Sequence, residues 1–150
     1  MKRILKVRGI IPYKDKLLLV RLMPYKANLK KNNDFWCLPG GTLEDNESIQ
    51  AGLFREMVEE TGVEPEIGNL AYIQQFHSGE NDYLEFLFYI TNAEDFLSID
   101  LSKTSHGLCE IAEIGFKDPK KLRVLPKFLA TEPLSDLASK PVPTKIFTVI

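Results

Sequence analysis

Three glutamates, Glu56, Glu59 and Glu60, stand at positions i, i+3 and i+4 of a segment whose neighbours read as helix. Successive helical residues turn by about 100 degrees, so the three carboxylates share one side of the helix within roughly 100 degrees of arc. Like charges this close repel one another, by a few tenths of a kcal/mol per exposed pair, so the spacing does nothing for a surface. A hard divalent cation reverses the sign. Mg2+ takes carboxylate oxygens and fills its remaining positions with water and substrate phosphates, and Mn2+ accepts the same donors. For the glutamates alone, a solvated acidic helix face stands as the other reading.

The flanking residues belong to a positioning device. Upstream, Trp36-Cys37-Leu38-Pro39-Gly40-Gly41-Thr42-Leu43 reads as an extended segment through a proline and two glycines, where backbone can approach a ligand and the Gly41 carbonyl can join a metal shell. Glu44-Asp45-Asn46-Glu47 is a polar turn in which Asn46 suits a left-handed or capping conformation. Ser48 or Asn46 starts the helix and Gly62 is placed to end it. Ile49, Leu53 and Met57, with Gly52 allowing close approach, give the opposite helix face a route into a core.

Gly41, five residues, Glu47, seven residues, then Arg55-Glu56-Met57-Val58-Glu59-Glu60-Thr61-Gly62-Val63 resembles the complete signature of the Nudix hydrolases. The likeness extends to the Leu38-Pro39-Gly40-Gly41 lead-in and, with the preceding strands, to essentially the whole chain. Two positions depart from it. Asn46 replaces a usual glycine but tolerates the same left-handed backbone. Gly52 replaces a usual alanine, expected to lower helix stability by under about 1 kcal/mol without touching the chemistry.

The resemblance implies Mg2+-dependent hydrolysis of a nucleoside diphosphate linked to another group, with Mn2+ as a possible substitute. It makes Glu56, Glu60, Glu59 and the Gly41 carbonyl metal ligands. Arg55 is placed to pair with Glu47 and fix the loop, since a guanidinium is a rigid, directional partner for a carboxylate. Cations neutralise the pyrophosphate oxygens that repel incoming hydroxide and lower the pKa of water. A carboxylate must then accept the water's proton. Glu59 is one candidate; the family more often supplies a late-loop acid, and Glu110 and Glu113, before the strand-like Ile114-Gly115-Phe116, are two more, with Glu110 favoured as base or extra ligand.

The elements that must position this helix are legible in outline. At 150 residues and 44% hydrophobic, the chain suits one domain with a real core. Strands are predicted over Ile4 to Pro12 and Leu17 to Leu22, as a hairpin, then over Asn69 to His77, Tyr83 to Thr91 and Ile111 to Phe116. A second helix is expected from Val124 to about Ala138, and an irregular loop from Phe96 to Ser105. The implied class is α/β, an alpha-beta-alpha sandwich with a mixed central sheet and two principal helices. Residues 140–150 read as a tail or edge strand, because Pro141 and Pro143 oppose a central one; burying Ile146, Phe147 and Val149 there can involve a partner subunit, so both monomer and homodimer stay open.

A net charge of -2 gives no electrostatic funnel for long nucleic acid. Charges at Lys6, Arg8 and Lys14 interrupt the N-terminus, so neither signal peptide nor membrane span is expected. The two cysteines, Cys37 and Cys109, suggest no disulfide scaffold or zinc site and fit a reducing cytoplasm.

Substrate contacts are less sharply marked. Arg8, Arg21, Lys26 and Lys30 are candidates for phosphate contact, against the plain reading of solvated surface charge. Tyr25, Trp36, Phe76 and Tyr83 are candidates to stack a base, with core packing the default for Trp36 and Phe76. His77 can meet a phosphate or simply end a strand. The proline that often follows the signature in ADP-ribose pyrophosphatases is Gly79 here, which weakens that branch, and Phe116 is compatible with nucleoside triphosphate cleavage. A non-catalytic module that binds a nucleotide or nucleotide sugar is the alternative from a different class.

Overall fold

A computed structural model describes residues 1–23, 34–138 and 143–149. In chain order it contains β1 (Lys2–Ile10), β2 (Pro12–Tyr13), β3 (Lys16–Leu22), β4 (Gly40–Thr42), α1 (Ile49–Thr61), β5 (Ile67–Ser78), β6 (Asn81–Ile90), α2 (Gly107–Glu110), β7 (Ile111–Lys117) and β8 (Lys145–Val149). The strands form two sheets, ordered β4-β1-β6-β5-β8 and β2-β3-β7. The larger is mixed: β1 runs parallel to β6 and β5 parallel to β8, while β4 and the β5-β6 hairpin pair antiparallel. The result is an α/β sandwich with mixed pairing.

Side-chain alternation divides the apolar residues between two cores. On one face of the large sheet, Val7, Phe88 and Ile90 meet Leu53 and Met57 of α1, with Ile11, Leu18 and Phe96. Leu53 and Met57 are fully buried, each contributing about 1.5–3 kcal/mol of transfer free energy. The other face brings Ile10, Tyr72 and Leu87 against Leu17, Leu19, Trp36, Leu38 and Leu129. These layers fix α1 along the sheet, beside β4.

The expected hairpin of the first two strands forms only at its tip. Pro12 and Tyr13 pair with Leu17 and Lys16, around Lys14 and Asp15 at positive φ, whereas β1 itself pairs with β4 and β6. Val7 to Ile11 are all buried, which suits an interior strand, and Pro12, lacking an N–H, stands where the chain changes sheets. The predicted helix over 124–138 is a second correction. That stretch holds two 3-10 turns, Lys127–Ala130 and Leu134–Ala138, separated at Pro133, whose ring removes a helical hydrogen bond and clashes with the preceding turn. Two further 3-10 turns, Ala93–Phe96 and Leu101–Lys103, lie in and before the stretch expected to be irregular. β8 is the edge strand anticipated near the C-terminus, paired with β5 from Tyr72↔Lys145 to Phe76↔Val149. The loop from Pro24 with Tyr25, Lys26 and Lys30, and Pro141, lie outside the described residues.

Candidate active site

α1 begins and ends where its local chemistry requires. The Ser48 hydroxyl accepts from the Ala51 N–H at 3.1 Å, and Gly62, at φ 74°, donates its N–H to the Val58 carbonyl. Before it, Asn46 takes φ 63°, the left-handed turn that aims Glu47 back at the helix.

Two glutamates of α1 meet two consecutive residues of β4. The Gly40 N–H donates to Glu60 Oε2 at 3.2 Å, and the Glu56 carboxylate lies so close to Gly41 that a Cβ there would collide with it. Gly41 is therefore a glycine because a carboxylate occupies its side-chain space. Glu60 is 3% exposed, and burial, followed by repulsion from Glu56, pushes its carboxyl up to about 8 despite the Gly40 bond and the nearby Arg8. Burial also raises Glu56; Arg55 offsets part of this, while Glu59 and Glu110 add to it.

Arg55 holds the loop as expected and does more. Its Nε and Nη2 grip the two Glu47 oxygens at 3.0 and 2.7 Å, and Nη2 also reaches the Thr42 carbonyl at 3.2 Å. Nη1 donates to Glu56 Oε1 at 3.0 Å and Glu59 Oε2 at 3.2 Å. The Glu47 carboxyl is held down to about 2, chiefly by its bonds from Arg55. Gly52 turns out to matter for this loop. A Cβ there would meet the tip of Leu43 and approach Glu47 Oε1 to 2.8 Å, so the glycine leaves room for these two side chains.

The late acid arrives through a docked loop. Glu59 accepts on its backbone carbonyl from the His106 N–H at 3.0 Å and the Ser105 hydroxyl at 3.4 Å, and His106 Nδ1 stands 4.0 Å from Glu59 Oε2. Gly107 packs α2 against the end of α1, where a Cβ would come 2.9 Å from the Glu60 carbonyl. Glu110, closing α2, thereby stands within electrostatic range of Glu56 and Glu60. Glu113 instead faces Arg21 across β3 and β7 at 3.2 Å, with Lys117 at 3.8 Å, and is a surface ion pair. The structure thus separates the two late candidates and removes Arg21, like Glu113, from the carboxylate cluster.

Arg8 is buried, with Nε on Glu85 Oε1 at 3.2 Å and Nη1 on the Leu38 carbonyl at 2.9 Å, so its guanidinium buttresses the strand leading to β4. Trp36 lies in the core, 7% exposed. Phe76 and Tyr83 stack on each other, centroids 4.9 Å apart at 9°, with Lys6 Nζ 5.5 Å from the Tyr83 ring. His77, one residue before the end of β5, stands against Asp82, Nε2 to Oδ1 at 3.1 Å. Sequence reasoning missed His106, which is 46 positions from Glu60 and was not linked to α1, and the buried Glu85 and Gln74. The interruption of the apolar run in β6 by Glu85 was the available signal.

Among the described residues no three His, Cys, Asp or Glu side chains are already drawn together tightly enough to hold a metal ion. Arg55 spans Glu56 and Glu59 with one nitrogen and supplies part of the positive charge. The donor chemistry nevertheless fits a hard cation: carboxylates from Glu56, Glu59 and Glu60 beside the backbone of Gly41, with burial first and neighbouring carboxylates after it raising Glu56 and Glu60. No helix among the described residues is long and apolar enough to cross a membrane.

The fold closely matches solved structures. An E. coli protein superposes with a TM-score of 0.68 at 21% identity, covering 95% of this chain and 96% of that one. An ADP-ribose pyrophosphatase from Streptococcus suis gives 0.64 at 21% identity, covering 95% and 98%. Among curated relatives, an ADP-ribose pyrophosphatase of Methanocaldococcus jannaschii is 37% identical over 67 residues, 43% of this chain and 35% of that protein. An 8-oxo-dGTP diphosphatase of Proteus vulgaris is 38% identical over 56 residues, 37% of this chain and 47% of that protein. These matches span less than half of either relative. The NUDIX domain model matches residues 4–131, nearly the whole of the chain, and on that match the protein belongs to the NUDIX family.

Proposed function

We propose that this chain, acting as one domain, hydrolyses the pyrophosphate linkage of a nucleoside diphosphate joined to a further group, using Mg2+ or Mn2+ held by Glu56, Glu59, Glu60 and the Gly41 carbonyl. The observation that carries this reading is the convergence of the Glu56 and Glu60 carboxylates on consecutive residues of β4, with little cationic compensation for Glu60. Structural stability gains nothing from such crowding; a ligand that brings positive charge does. When bound, the cation supplies neutralisation of phosphate oxygens and acidification of water for attack at phosphorus.

The residues of the chain divide the remaining work. Arg55 fixes the Glu47 loop and holds Glu56 and Glu59 in reach of β4. Arg8 braces the Leu38 carbonyl, and so the strand that carries Gly40 and Gly41. Glu110 is the acid we assign to accept the water's proton, on its nearness to Glu56 and Glu60, with Glu59 the competing acceptor. The free thiols of Cys37 and Cys109 suit a reducing cytoplasm as the working compartment.

The test is a panel of nucleoside triphosphates, ADP-ribose and nucleotide sugars with and without Mg2+ or Mn2+, products identified. Cation-dependent cleavage by the native chain, abolished in Glu60→Gln with the fold intact, supports the reading. Tight binding without turnover of any of them sinks it in favour of a non-catalytic nucleotide-binding module.

A further inference from the structure

The face of the large sheet turned away from α1 carries a row of polar side chains that the hydrolytic site does not use. Strand register sets Thr42, Lys6, Glu85, Gln74 and Phe147 side by side across β4, β1, β6, β5 and β8. Each charge or ring in this row has a partner, whereas the buried Gln74 amide has none among the described residues. Glu85 accepts from Arg8, Lys6 lies over Tyr83, and Phe147 meets Phe128 edge-on with centroids 4.2 Å apart. Gln74 is 8% exposed, yet its amide makes no hydrogen bond to any described residue. No polar side-chain atom that is sealed from solvent lacks a partner among the described residues, so the Gln74 amide keeps a narrow opening to the outside.

A buried amide offers both donors and an acceptor, and leaving them unmatched is costly unless water or a ligand meets them. Gln74 lies three strand spacings from β4, about 14 Å. A ribose and base extending from a diphosphate at the β4 edge cross such a span. One rung along the same face, the Phe76–Tyr83 stack forms an aromatic wall. Glu85, the register partner of Gln74, carries a carboxylate that takes one bond from Arg8 and has acceptor capacity left.

The geometry points to Gln74 as the residue that reads the substrate's nucleobase, pairing its amide with a base edge that carries a donor beside an acceptor. Adenine presents such an edge at N6 and N7, guanine at N1 and O6, and cytosine and uracil at N3 and the neighbouring group on C4. This rests on the nucleotide reading above and adds that the base is recognised directly, at a place remote from the bond that breaks. Gln74 is a specificity residue and takes no part in the chemistry.

Binding tests it separately from catalysis. AMP, GMP, CMP, UMP and ribose 5-phosphate are titrated calorimetrically into the native chain and into Gln74→Met, which keeps the side-chain length and removes the amide; Gln74→Leu serves if the first melts early. We expect the native chain to bind at least one nucleotide more tightly than ribose 5-phosphate. The variant should then lose about tenfold in affinity for that nucleotide and nothing for the base-free sugar. Which nucleotide responds identifies the base. Equal losses for nucleotide and sugar phosphate, unchanged nucleotide affinity in the variant, or no native preference for a base overturns the assignment. Failure of the hydrolysis panel with the binding pattern intact would instead count against the catalytic reading alone.

Discussion

Glu60, Asp82 and Glu85 are equally deep, each 3% exposed, and stand in opposite electrical surroundings. In the sheet, each buried acid has a base. Asp82 takes Gln75 at 3.1 Å and Arg3 at 2.7 Å, which in that order hold its carboxyl below the usual range, and Glu85 takes Arg8. At the helix edge, Glu60 has one backbone N–H and acidic neighbours, and its carboxyl rises to about 8. Desolvation beside acidic neighbours at Glu60, against paired acids in the sheet, separates charge that holds the fold from the charge we propose to meet a cation. Arg55 marks the border: it clamps Glu47 with two bonds and gives Glu56 and Glu59 one shared nitrogen.

The contrast breaks first on Glu60→Gln. Turnover should fall on the order of a thousandfold, while the metal-free protein melts no lower than native. A large drop in melting temperature would place Glu60 with the structural acids. Glu85→Gln should do the reverse, costing about 3 kcal/mol in urea unfolding because Arg8 is left as a buried, unpaired cation. An unfolding free energy within experimental error of native would mean that the pair is dispensable.

The same contrast predicts two pH slopes of opposite sign in metal-free protein. The folded Glu60 carboxyl lies near 8 against an ordinary 4.5, so the native state binds more protons between those values. Stability therefore falls as pH rises through that window, and thermal melts of Glu60→Gln should lose this slope. Glu47 runs the other way: held at about 2 against 4.5, its contribution is present above 4.5 and lost as pH falls toward 2, a loss that Glu47→Gln should remove. Saturating Mg2+ should flatten only the first slope. The smallest effect is expected for Gly52→Ala, where a gain in helix propensity of up to about 1 kcal/mol is offset by displacement of Leu43 and Glu47. Its melting temperature should stay near native while turnover drops; unchanged turnover would show that Glu47 yields freely.

Much of the helix side of this contrast was legible along the chain, because it is local. The spacing of Glu56 and Glu60, the Ser48 cap, the left-handed Asn46 and the Gly62 stop each depend on residues within a few positions of one another. The second helix failed for a related reason: apolar residues such as Phe128, Leu129, Leu134 and Leu137 suggested a helical period, and Pro133 divided them into separate turns. Glu110 and Glu113 were only three positions apart, and sequence could favour one without separating them. β7 turns Glu113 toward Arg21, whereas α2 leaves Glu110 near the acids of α1.

The sequence by itself determined a helix with an acidic side, its caps, the glycine-bearing strand beside it and the family to which the chain belongs. Tertiary structure decided which charges are answered. Arg8 meets Glu85 77 positions away, Arg3 meets Asp82 79 positions away, and Gln74 is left unmatched between strands brought together by register. Electrostatic pairing depends on distance and burial in space, and strands that lie far apart in the chain become neighbours only when the sheet assembles.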